Sequence, residues 1–177
     1  MTDLNALQRA ADQARLLNHP LPPHLLANHP EHLRHHYALL IVALLTVHGS
    51  PTEAQARLLR LLLQALRLGD CVATLFEQAR EIQPDTLLEA ARLVREAGCT
   101  EHLLTDALVL LRLETPLEDD LTRAVSEMAD LLDLDAGAIS TCVTAAVAIL
   151  GLENKRAASA ASQWPACYPG LPVPAVF

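Results

Sequence analysis

The stretch "YALLIVALLTVHGSPTEAQ", residues 37–55, decides the fold class because it joins an apolar run to a signal that starts a helix. The hydroxyl of Ser50 can accept from the backbone N–H of Glu53, whose carboxylate can reach back to the N–H of Ser50, as in a capping box. Pro51 suits the first helical position, where a missing N–H costs nothing. The stretch therefore predicts one helix that ends near Gly49 and another that begins at Pro51.

A similar break recurs in "LETPLEDD", residues 113–120, where Thr115, a proline and Glu118 repeat the order. Each feature is a known helix-start signal, and this interpretation needs no ligand. The alternative is a carboxylate site in the two breaks, with Glu53 and Glu118 as metal ligands. We expect helix caps at both breaks.

The composition predicts an all-α fold with an aliphatic core. Of the 177 residues 51% are hydrophobic and only 3% aromatic, and there are six glycines. The mean hydropathy is +0.23, and the dominant Leu and Ala are strong helix formers. The length is enough for one domain with a substantial core.

The charge balance excludes some partners. A net charge of −8 lacks the basic footprint of a nucleic-acid binder and opposes adhesion to anionic lipid. Because no signal-peptide pattern is present, we expect a cytoplasmic protein. We expect its cysteines in helical contexts to be buried thiols: Cys71, Cys99 and Cys142.

Start and stop signals predict about eight helices. Asp70, Thr100 and Asp135 are placed to cap three of them. The predicted helices span residues 3–17, 31–47, 51–68, 71–81, 85–97, 101–113, 116–133 and 136–150.

The chain divides into three regions. Residues 1–30 hold the first helix and a connector rich in Pro and His, residues 31–151 form the bundle, and residues 152–177 form a Pro-rich apolar tail. Two runs, 37–47 and 136–152, are free of charge, and we expect both to be central helices that are hydrophobic all round rather than stable membrane insertions.

An internal pseudo-repeat relates the two breaks at a constant offset of 65 residues, from Pro51 to Pro116. Apolar stripes with the spacing i, i+4, i+7, i+11, i+14 follow both prolines. The first stripe holds Thr52, Ala56, Leu59, Leu63 and Leu66, and the second holds Leu117, Leu121, Ala124, Met128 and Leu131. We expect the two units to pack about a pseudo-twofold axis.

This duplicated pattern of an apolar helix, a break and a long amphipathic helix resembles the TerB-like (tellurite-resistance TerB) domain over about residues 37–151. The resemblance implies a helical bundle and a role in stress or tellurite resistance. Family members tend to carry Asp-Gly and further acidic residues in the break, which have been linked to metal binding. This sequence has His48 before the glycine of the first break and no glycine in the second, so the fold is expected to transfer and the metal site is not. The remaining acidic candidates are Glu53, Glu118, Asp119 and Asp120.

Six of the eight histidines lie between residues 19 and 36. His32 and His36 are four apart and would share a helix face, a spacing that can chelate Zn²⁺, Ni²⁺ or Cu²⁺, with His29 as a further candidate ligand. Solvated or capping histidines are the simpler interpretation, and a pH-sensing role is a third. We expect no cofactor and no stoichiometric metal.

The tail is apolar where a solvated linker would be polar. It holds Trp164, Tyr168 and Phe177, which we assign as partner-binding candidates. Such a segment either straps across its own bundle, which we favour, or docks into another protein.

No catalytic motif is present: phosphate loops, HExxH and GxSxG are all absent. We therefore expect a non-enzymatic helical domain that acts by protein–protein contact, and the composition also allows a homo-oligomer. The alternative is a metal- or small-ligand-binding protein that uses residues 19–36.

Overall fold

The computed structural model describes residues 22–47, 49–112 and 119–151, together with residue 11. All regular structure in these ranges is helical, which confirms the all-α prediction. The seven α-helices are α1 (Glu31–Thr46), α2 (Glu53–Ala65), α3 (Val72–Arg80), α4 (Pro84–Glu96), α5 (Thr100–Leu111), α6 (Asp119–Leu131) and α7 (Ala136–Ile149). Two short 3-10 helices, Leu25–Asn28 and Gly69–Cys71, precede α1 and α3. Apart from residue 11, which is helical, the predicted helix over 3–17 lies outside the described residues, as does the tail.

The cap of α2 is Thr52, so the prediction of Ser50 as the N-cap was wrong. The Thr52 hydroxyl accepts from the N–H of Gln55 at 3.2 Å, and the Gln55 side-chain oxygen accepts from the N–H of Thr52 at 2.9 Å. The sequence holds two overlapping capping boxes, one with Glu53 and one with Gln55 as the third helical residue. The later box forms, and Pro51 lies outside the helix.

The predicted cap of the last helix is confirmed, since the Asp135 carboxylate accepts from the N–H of Ala138 at 2.8 Å. Asp70 does not cap its helix. It lies in the 3-10 turn that leads directly into α3, and the N-cap of α3 is Cys71, whose side chain makes no capping bond.

Thr100 does not cap α5 either, because it is already the first helical residue and Cys99 is the N-cap. Gly98, with φ of 66°, forms a tight Schellman turn in which the N–H of Cys99 bonds the carbonyl of Val94 at 3.1 Å. Only three residues, 97–99, lie between α4 and α5. Thr115 lies outside the described residues.

The core is built on two helices, α1 and α5, which are buried on nearly every side. In α1 the buried residues are Leu33, Tyr37, Ala38, Leu39, Leu40, Ile41, Val42, Leu44 and Leu45. In α5 every residue from Leu103 to Leu111 is buried. These two helices contact each other, and the other five pack around them.

The run 136–152 was predicted to be a central helix, and this is wrong. Helix α7 buries only Cys142, Ala145 and Ala146 and packs mainly on α5. Val143 is 41% exposed. The run lacks charge because hydroxyl residues occupy its outer face, where Thr141 bonds the carbonyl of Gly137 at 3.0 Å.

The pseudo-repeat is present, at an offset of 66 rather than 65 residues, since α2 and α6 end 66 residues apart, at Ala65 and Leu131. The buried positions Leu59, Leu62, Leu63 and Leu66 correspond in turn to Val125, Met128, Ala129 and Leu132. Helix α1 packs on α3 as α5 packs on α7, and α2 contacts α5 as α6 contacts α1. This exchange of partners is the contact pattern of two units, α1–α3 and α5–α7, that are related by an approximate twofold axis.

No helix in the described ranges is long and apolar enough to cross a membrane.

Candidate functional site

An open apolar groove of about 730 Å³ lies between the C-terminal end of α1, the end of α3 and the outer helix α6. The break after α1 and the first turns of α4 also contribute to its lining. Among the described residues, sixteen line it: Ala43, Leu44, Thr46, Val47, Gly49, Ser50, Pro51, Phe76, Ala79, Arg80, Ile82, Leu87, Ala124, Glu127, Met128 and Leu131.

The groove exists because α6 stands away from α3 while both pack on α1. Among the described residues α6 makes its main contacts with α1 and α5. At its end α6 is held by Arg95 of α4, whose guanidinium donates to the carbonyl of Leu131 at 3.2 Å. Buried Met128 and half-buried Leu131 therefore face the groove from one side and Phe76 from the other.

The chemistry of the groove is that of an apolar receptor. Among the described residues that line it, the charged ones are Arg80 and Glu127, which are exposed and of opposite sign. Val47 also lines the groove and is 52% exposed. A groove of this volume with a mostly apolar lining suits a drug-sized apolar ligand or the side chains of a peptide segment.

A buried polar cluster joins the segment before α1 to both central helices. The carboxylate oxygen Oδ2 of Asp106 accepts from the hydroxyl of Tyr37 at 2.7 Å and lies 3.1 Å from Nε2 of His24. The His24 ring lies 5.4 Å from that of Tyr37. His24 and Asp106 are only 5% and 4% exposed.

The hydrogen bonds assign the tautomer of His24. Its Nδ1 accepts from the N–H of Leu26 at 3.2 Å, so Nε2 carries the proton and donates to Asp106. Both ring nitrogens are therefore engaged inside the protein and neither faces solvent. The cluster ties three segments together and offers no group to a substrate.

The sequence analysis missed this cluster, although it placed His24 in the segment 19–36. The available signal was Asp106, a single carboxylate inside the apolar run "LLTDALVLL", residues 103–111. A buried carboxylate needs hydrogen-bond donors. The donors come from positions 69 and 82 residues away, which only the fold brings close.

The predicted metal ligands lie apart from the groove's apolar floor. His29 and His32 are exposed and His36 is half-buried. Nδ1 of His36 donates to the carbonyl of His32 at 2.7 Å. Among the residues that the structure describes, no three His, Cys, Asp or Glu side chains come together as a metal site.

The other candidates divide between the described and undescribed parts of the chain. Glu53 is exposed in the first turn of α2, where a carboxylate is favoured by the helix dipole. Glu118 and the partner-binding candidates Trp164, Tyr168 and Phe177 lie outside the described residues. Partner binding by the tail stays a prediction, and metal binding by the histidines stays the untested alternative.

The described cysteines are free thiols, of which Cys99 and Cys142 are buried as expected and Cys71 is half-buried. Burial raises the pKa of the Cys99 thiol, and burial is also the largest cause of the raised pKa of Cys142. A raised pKa disfavours the reactive thiolate. The thiol of Cys142 donates to the carbonyl of Glu101 at 3.4 Å, which fits a structural role.

No protein-family profile matches the sequence, and no curated protein or solved structure shows significant similarity to the chain.

Proposed function

We propose that this chain is a non-enzymatic helical domain that binds an apolar, uncharged segment of another protein in the groove between α1, α3 and α6. The observation that carries the proposal is the open apolar lining, with Val47 52% exposed at its edge. Apolar surface left open beside a core is typical of an interaction site. A cytoplasmic location and a part in stress or tellurite resistance, implied by the TerB-like resemblance, belong to the same proposal.

The charges of the groove define the partner. Among the described lining residues the charged ones, Arg80 and Glu127, balance each other, so this part of the groove offers no net charge to steer a strongly acidic or basic segment. Phe76 supplies an aromatic wall, and aromatic-lined grooves accept extended Pro-rich segments. The partner segment is therefore expected to be uncharged and to carry large apolar side chains.

Photo-crosslinking in the cells that make the protein tests the proposal. A benzoylphenylalanine is placed at Leu87, which lines the groove, or at Leu88, which is 55% exposed on the same helix and does not. We expect an adduct with a second protein from position 87 alone, and the linked segment of that protein is then identified by mass spectrometry.

The purified partner must then bind through the groove. Val47→Lys should weaken its affinity, because removing one buried aliphatic contact of about 1.5–3 kcal/mol corresponds to about 10- to 100-fold in Kd. Val143→Lys is the control, since Val143 is also exposed and lies on α7 away from the groove. Equal affinity for the two variants, or a linked segment rich in charge, would contradict the proposal.

A further inference from the structure

The chain itself contains a segment whose composition matches the groove. Residues 157–177 are 21 consecutive residues without a charge. They contain Trp164, Tyr168 and Phe177, three of the five aromatic residues of the chain. Large apolar side chains in an uncharged segment are what the lining of the groove accepts.

The segment is long enough to reach the groove. At about 3.3 Å per extended residue, the 26 residues that follow Gly151 span up to about 86 Å. A bundle of about 130 residues has a radius of gyration of only about 14 Å. Four prolines lie between residues 165 and 174, and they reduce the entropy that the segment loses on binding.

The N-terminal segment, residues 1–21, matches the lining of the groove less well than the tail does. Distance does not separate the two segments, since 21 extended residues span up to about 69 Å. Residues 1–21 carry two Asp and two Arg, for which the uncharged floor of the groove offers no partner.

We propose that in the isolated protein the groove is occupied by the chain's own segment 163–177, which a partner must displace. The inference rests on the proposed function, because tail and partner use the same surface. It adds regulation to that surface, since an internal occupant lowers the apparent affinity for every competing segment.

Crosslinking within the purified full-length chain tests the occupant. Benzoylphenylalanine at Leu87 or at Leu88 falls in the same tryptic peptide, residues 81–92, so the two sites are compared on identical fragments. Irradiation of dilute monomer should link this peptide to residues 157–177 from position 87 and not from position 88. Links from position 87 to residues 113–123 or to the first 21 residues, or links found only in dimers, would overturn the proposal.

Trp164 provides a second readout that needs no crosslinker, because it is the only tryptophan. Its emission should be blue-shifted in the native chain and should move to the wavelength of a water-exposed tryptophan in Val47→Lys. Val143→Lys should leave the emission unchanged. Circular dichroism confirms that both variants are folded. A fully red-shifted emission from the native chain would overturn the proposal.

A synthetic peptide of residues 163–177 separates failure of this inference from failure of the proposed function. If the tail occupies the groove about 90% of the time, it reduces the apparent affinity for the added peptide about tenfold. The full-length variant Trp164→Ala should therefore bind the peptide more tightly than the native chain does. Peptide binding that depends on Val47 and is equal in both chains would leave the groove as a binding site and remove the internal occupant. Absence of binding to both chains would contradict the receptor groove itself.

Discussion

Asp106 is the residue on which the centre of the bundle depends. A carboxylate inside an apolar helix is stabilised only where donors replace the water it has lost. Tyr37 of α1 and His24 of the preceding 3-10 segment donate to the same oxygen, Oδ2. A charge that alone would oppose folding therefore fixes how three separate segments meet.

Tyr37→Phe should lower the free energy of unfolding by about 1.5–3 kcal/mol, the contribution typical of a hydrogen bond to a charged group. Urea denaturation measures the change, and the phenyl ring keeps the packing of this fully buried side chain. In an Asp106→Asn background the same substitution should cost only about 0.5–1.5 kcal/mol, as for a neutral bond. The double-mutant cycle isolates this pair from other contacts of either side chain. Equal costs in the two backgrounds would refute the role given to the carboxylate.

His102 should make stability depend on pH. Burial is the largest cause that lowers the pKa of His102 below the ordinary 6.5, and the carboxylates of Asp106 and Glu101 act in the opposite direction. The folded protein thus takes up the proton less readily than the unfolded chain. The contribution of neutral His102 to the free energy of unfolding is fully present above about pH 6.5, the pKa of the unfolded chain. It is lost as the pH falls through the lower pKa of the folded state.

The measurement is urea unfolding at about pH 7.5 and about pH 5.5. His102→Gln should reduce the loss of stability between the two values. His32→Gln is the control, because His32 is exposed on α1. A pH dependence that His102→Gln leaves unchanged, or that the control reduces equally, would exclude His102 as its source.

At the scale of the helix, a prediction about the cap of α2 distinguishes between the two overlapping capping boxes, which begin at Ser50 and Thr52. Thr52→Ala should destabilise the protein by about 0.5–2 kcal/mol, because the N–H of Gln55 loses its acceptor. Ser50→Ala lies outside the helix and should stay within about 0.5 kcal/mol of the native protein. Thermal or chemical denaturation of the two variants decides between them. A larger cost for Ser50→Ala would place the helix start two residues earlier than the structure does.

The helices themselves could be predicted from the sequence because their signals are local. The breaks at Gly49, Gly98 and Asp135 lie where the structure has them. Two features were predicted wrongly, each for its own physical reason. A run without charged residues is typical of a buried helix. In 136–152, however, hydroxyl side chains that bond carbonyls of their own helix take the place of charged ones. The repeat was one residue out because aligned prolines need not hold equivalent helical positions.

The candidate site was less accessible to sequence analysis than the helices. The groove is lined by residues from four helices and the breaks between them, and its apolar helical residues follow ordinary apolar periodicity, each in its own helix. What makes it a groove is that α6 packs on α1 without filling the space beside α3. Spacing between helices depends on packing that no local signal encodes.

At the scale of the whole molecule, the approximate twofold arrangement makes α1 and α5 a shared core. Each is the central helix of its own unit, and each also contacts the outer helix of the other unit. Neither unit can bury its central helix alone, as in repeat architectures where a single unit is unstable. The two units should therefore unfold together.

Native-state hydrogen exchange tests this cooperativity. Amides in the middle of α1 and α5 should exchange only through global unfolding, with one common free energy, because nine residues of each helix are buried. Amides of α7 should exchange through smaller openings, because only three of its residues are buried. Leu40→Ala, at a fully buried position of α1, should lower the global free energy by about 2–5 kcal/mol. Since the core is shared, protection in α5 should fall by the same amount as in α1. Loss of protection confined to α1 would mean that the two units unfold separately.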